Sequence, residues 1–87
     1  MKLIIAIVRD LDADGITQAL TSANFRVTRT SSTGGLLRRG VTTLLIGVEN
    51  VQLDGAIELI KKECPPLPEG GKRATIFVVP VEKFEQV

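Results

Sequence analysis

The sequence predicts an α+β domain of ferredoxin-like type, βαββαβ, with an antiparallel sheet in the order 4-1-3-2. Three observations carry this prediction. Residues 3–8 and 41–48 are β-rich runs that are apolar on both faces, as central strands are. Two segments between the strands repeat their apolar residues at helical spacing. Pro80 lies within the last apolar run, where an edge strand tolerates it because no ladder donor is missed. Two right-handed crossovers and one hairpin then place strands one and three in the centre.

Each element has its own local reason. Leu3-Ile4-Ile5-Ala6-Ile7-Val8 is bounded by Arg9-Asp10 and reads as a buried strand. Asp10 and Asp12 are candidate N-caps for a helix that carries Ile16, Ala19, Leu20 and Ala23 on one stripe. Phe25 and Val27 alternate with Arg26, Thr28 and Thr30, so the second strand has one apolar and one polar face. Ser31-Ser32-Thr33-Gly34-Gly35 breaks that strand, and Gly40 precedes the third. Asn50 is placed to cap a second helix with an apolar stripe of Leu53, Ala56, Ile57, Ile60 and Cys64. Pro65-Pro66 stops it, since proline brings no N–H and restricts the residue before it. A polar connection through Gly70-Gly71-Lys72-Arg73 leads to the last strand, residues 74–81.

Length and composition set the bounds. The 87 residues are expected to form one domain, 1–87, and a chain this short buries only roughly 60% of its unfolded surface. Yet 44% of it is hydrophobic, and the mean hydropathy is +0.22. With both helices on one face of the sheet, the opposite face needs cover, so self-association is expected. The net charge of +1 gives no polybasic signature for nucleic acid or membrane. Cys64 is the only cysteine, which excludes an intramolecular disulfide, and the run 3–8 is too short to cross a bilayer. With no segment resembling a secretory signal, a cytoplasmic location is expected.

Chemistry is conspicuous only in the middle of the chain. There is no His, Trp or Tyr, which removes the commonest general base, so no enzyme is expected. Cys64 lies on a helical stripe and reads as a small core residue rather than a nucleophile. Asp10, Asp12 and Asp14 lack the spacing of a calcium loop and read as capping and dipole-complementing residues. Neither a metal nor a cofactor is therefore expected. Between Asp14 and Glu49 the chain carries no acid but holds Arg26, Arg29, Arg38 and Arg39. Thr33-Gly34-Gly35 offers unhindered backbone N–H groups, and Arg26 and Thr28 project from one side of a strand. Together these point to an anionic ligand. A solvated basic face and a flexible hairpin tip are the plainer readings of the same residues.

At this point the residues resemble a known family. Lys2-Leu3-Ile4-Ile5-Ala6-Ile7-Val8, Asn24-Phe25-Arg26-Val27-Thr28, Ser32-Thr33-Gly34-Gly35, Leu37-Arg38, Gly40 with Thr42-Thr43, Gly47-Val48, and residues 74–81 with Phe84 resemble the P-II-like cyclic di-AMP receptor proteins. The resemblance implies a homotrimeric signal-transduction protein with one nucleotide pocket at each subunit boundary and a downstream protein partner. It implies that Asn24, Arg26 and Thr28 contact adenine and phosphate from the second strand. Gly34, Gly35 and Leu37 would lie against the ligand from the hairpin, and Gly47 would let the backbone approach a base. Leu36 and Val41 fall at ligand-binding positions where the family usually has Phe and Asn. The connection after the second helix is also shorter than the family's. The residues leave two alternatives beside cyclic di-AMP: a trimer that binds another nucleotide or small anion, or an interaction module with no ligand.

Overall fold

The structure, a computed structural model, describes residues 1–30, 40–64 and 67–87. Its elements are β1 (Lys2–Arg9), α1 (Asp10–Ser22), β2 (Val27–Thr30), β3 (Val41–Val48), a short 3-10 turn (Asn50–Gln52), α2 (Leu53–Lys62) and β4 (Ala74–Pro80). The four strands form one antiparallel sheet in the order β2-β3-β1-β4. This is the expected ferredoxin-like topology, with the two most apolar strands central and the Pro80 strand at an edge.

Alternation along the strands divides the sheet into two unlike faces. Ile4, Ala6 and Val8 of β1 and Leu44, Ile46 and Val48 of β3 are buried under the helices. They meet Ala13, Ile16 and Leu20 of α1 and Ala56 and Ile60 of α2. Each fully buried Ile or Leu here contributes on the order of 1.5–3 kcal/mol of transfer free energy. The other face shows cross-strand rows instead. Thr28, Leu45, Ile5 and Phe77 form one row, and Gly47, Leu3 and Val79 form the next. Phe77 and Val79 remain 53% and 37% exposed. That is the uncovered apolar face on which the expectation of self-association rests.

Several local expectations are corrected by tertiary partners. Neither Asp10 nor Asp12 caps α1: the N-cap residue is Arg9, and no side chain makes a cap hydrogen bond. Both lie inside the first turn and bond to residues of other segments instead. Asp10 accepts the Thr42 hydroxyl, and Asp12 receives the guanidinium of Arg73 through both carboxylate oxygens. Ala23 leaves the apolar stripe because it is the exposed C-cap. Glu49 rather than Asn50 starts the second helical segment. It forms a capping box with Gln52, whose side chain accepts the Glu49 N–H at 2.9 Å. Pro65, Pro66 and the hairpin break at 31–39 lie outside the described residues.

Cys64 packs against the core and is half-buried, as its place on the α2 stripe predicts. Burial raises its thiol pKa first, and the negative charge of Asp12 raises it further, against an opposing pull from Arg73. Two results are expected. Iodoacetamide will label native Cys64 far more slowly than free cysteine at pH 8, and unfolding will abolish the difference. Because the folded-state pKa is the higher one, the native state gains from the neutral thiol below the unfolded value near 9.0. That gain is lost as pH rises through the folded value, so urea midpoints should fall on the alkaline side. Rapid labelling of the folded protein would contradict this burial.

Candidate functional site

The site begins at the C-terminus of α1. Asn24 has φ of 69°, the left-handed conformation that Asn tolerates better than most residues. Its N–H donates to the Thr21 carbonyl at 3.0 Å, and the Phe25 N–H donates to Leu20 at 3.0 Å. This pair is a Schellman termination with Asn in the place usually taken by glycine. Phe25 then packs on the core, which fixes the direction in which the chain enters β2. Capping alone accounts for an Asn at this position. The turn also carries its side chain to the rim of a concavity.

That concavity, about 650 Å³, opens where β1 begins and β3 ends. Asn24, Arg26 and Thr28 form one wall, and Leu3, Leu45 and Gly47 of the open sheet face form its floor. Gly47 is there for space: a Cβ would approach the Met1 side chain to 3.2 Å and would fill part of the floor. Arg26 is the only charged side chain among the described residues that line the hollow. It makes no ion pair with any described residue. A guanidinium free to fork onto an anion therefore stands beside a hydroxyl, an amide and an apolar floor.

Arg29 does not join it. Strand alternation turns Arg29 to the helix side, where it pairs with Asp14 at 2.6 Å. Both partners are substantially exposed, at 42% and 90%, so the pair contributes at most about 1 kcal/mol. Thr42 is likewise buried on the helix side with Asp10, and Thr43 lends only its carbonyl, to the Thr30 hydroxyl. The acid-free third of the chain is thus sorted by period two: Arg26 and Thr28 face the hollow, Arg29 and Thr42 do not.

Three residues that frame the hollow come from the end of the chain. Val81, Phe84 and Gln86 line it, brought there because β4 runs antiparallel to β1 and the Val81 N–H donates to the Met1 carbonyl at 3.1 Å. Phe84 is 60% exposed, an aromatic face available for stacking. Gln52, whose side chain is held by the capping box, completes the rim. Sequence reasoning assigned no role in the site to Gln52, Phe84 or Gln86. A signal existed, since the topology returns the end of β4 to the start of β1.

The remaining expected residue, Val41, lies on the same face but at the far end of β3, opposite Arg9. It stands six positions before Gly47, about 20 Å along an extended strand. Gly34, Gly35, Leu36 and Leu37 lie outside the described residues. Among the described positions, then, one chain brings together Asn24, Arg26, Thr28 and Gly47, and it leaves Val41 apart.

Comparison with known proteins agrees with this architecture. The family model described as cyclic-di-AMP receptor matches residues 1–69, up to the connection that precedes β4. The crystal structure of a functionally unknown protein from Pediococcus pentosaceus ATCC 25745 is similar over 99% of this chain and 96% of that one. It has 38% sequence identity and a TM-score of 0.79. With the family model matching most of its length and a solved relative sharing its fold at 38% identity, the chain belongs to the cyclic-di-AMP receptor family.

Proposed function

We propose that this chain is a homotrimeric, P-II-like sensor that binds cyclic di-AMP between neighbouring subunits and passes its state to a downstream protein in the cytoplasm. The observation that carries the proposal is Arg26, the sole charged side chain among the described residues that line a partly apolar hollow. Its guanidinium receives a phosphate, with Thr28 and Asn24 adding a hydroxyl and an amide. Gly47 and the ring of Phe84 leave an adenine a flat place to lie. A dinucleotide has two bases, and the hollow of one chain offers a surface for one of them. The second base is met by Leu36, Leu37 and Val41 of a neighbouring copy, which also explains why Val41 stands about 20 Å from Gly47.

The apolar row Leu45, Ile5 and Phe77 supports the trimer, because three such faces turned toward one axis cover each other. Leu36 and Val41, which offer neither an aromatic ring nor an amide, favour a second reading in which the same trimer binds a different nucleotide. A thermal-shift panel separates the two. Cyclic di-AMP at a hundred times its Kd should stabilise the native state by about 2.7 kcal/mol and raise Tm accordingly. AMP, ADP and ATP should do so weakly or not at all. A larger shift with one of the mononucleotides would establish the second reading, and no shift with any would leave a scaffold that works by protein contacts alone.

A further inference from the structure

The three acids at the start of α1 do something that capping does not account for. Each reaches the end of a different strand. Asp10 accepts the Thr42 hydroxyl at the start of β3, and its N–H donates to the Gly40 carbonyl at 2.9 Å. Asp14 accepts from Arg29 near the end of β2. Asp12 takes the Arg73 guanidinium one residue before β4, with only 5% of its side chain exposed. The ends held by Asp10 and Asp14 flank the β2–β3 connection, and the end held by Asp12 closes the α2–β4 connection. All three anchors lie within five consecutive residues of one helix, so the two connections share a single rigid mount.

We infer that the start of α1, from Asp10 to Asp14, is a three-way junction that couples the β2–β3 connection to the α2–β4 connection. A change in the hold on Gly40 and Thr42 shifts Asp10, Asp12 moves with it on the same turn, and Arg73 carries the shift into the start of β4. Cys64 sits beside this path: its thiol feels the charges of both Asp12 and Arg73. The junction stands on the hydrogen bonds of the free chain and not on the identity of any ligand.

The test uses the full chain without ligand. Native-state hydrogen exchange is followed at residues 70–76, with Cys64 alkylation as a second reporter at the other end of the α2–β4 connection. Thr42→Val, which releases β3 from Asp10 without touching residues 63–74, should raise exchange at 70–76 by at least about twofold, the lower end of coupling within one network. Thr42→Ser should restore the wild-type rate. In an Asp12→Asn background, Thr42→Val should add much less, because the amide keeps one acceptor oxygen for Arg73 but loses the charge and the second oxygen. Val48→Ala, a core truncation at the far end of β3, controls for general loosening and should leave residues 70–76 unchanged relative to the rest of the sheet. Arg29→Gln offers a second release at an exposed site should Thr42→Val fail to fold. Wild-type exchange at 70–76 in the released variants would overturn the junction, and so would effects of Thr42→Val and Asp12→Asn that simply multiply.

Discussion

Arg26→Ala should weaken cyclic di-AMP binding by about ten- to 150-fold while the subunits stay assembled. A hydrogen bond to a charged group contributes about 1.5–3 kcal/mol, and each 1.4 kcal/mol is about tenfold in Kd. The upper half of that range is expected because the hollow offers a phosphate no second charged side chain among its described lining residues. Assembly should survive because Arg26 lies on the rim, outside the Leu45, Ile5 and Phe77 row. Titration calorimetry on the variant checks the affinity, and its sedimentation checks the assembly. Arg26→Lys should recover part of the loss, keeping the charge but not the fork. An unchanged Kd in Arg26→Ala would remove Arg26 from the site.

The second large effect is expected from Ile5→Glu. Ile5 sits at the middle of the open face, between Leu45 on β3 and Phe77 on β4. In an isolated chain a carboxylate there would reach water, because its neighbour Phe77 is 53% exposed. In a trimer the same carboxylate would be trapped in an apolar contact, at a cost of several kcal/mol for each copy. The variant should therefore fold, run as a monomer in sedimentation velocity, and lose cyclic di-AMP binding with its Arg26 intact. Ile5→Val should behave as wild type. An Ile5→Glu trimer would mean that the open face is not the subunit interface.

What the sequence makes legible is what period and punctuation encode. Residues 3–8 and 41–48 announce central strands because they are apolar on both faces, and the structure shows why both faces matter. Ile4 and Ile46 meet the helices, while Ile5 and Leu45 lie in the opposite face, where among the described residues no helix covers them. Arg26 and Thr28 are likewise readable as a pair, because two residues apart on a strand means one side. The same rule, applied to Arg29, turns it away toward Asp14, so a count of basic residues along the chain overstates the charge at the hollow.

The unreadable part depends on long-range partners. Asp10, Asp12 and Asp14 look like capping residues in sequence. Their actual partners, Thr42, Arg73 and Arg29, are 32, 61 and 15 residues away. Asn24 shows the intermediate case. An Asn after a helical stripe marks a helix end, but only the assembled sheet reveals that this end opens onto Gly47. Phe84 and Gln86 follow Pro80 in a stretch without period, and they reach the hollow only because β4 runs back along β1.

Native mass spectrometry of the wild-type protein with cyclic di-AMP tests the central claim most directly, since it weighs assembly and ligand together. The account predicts a three-chain species that takes up to three dinucleotides, with no ligand retained on single chains. A stable single chain of 9.4 kDa carrying a bound dinucleotide would contradict it.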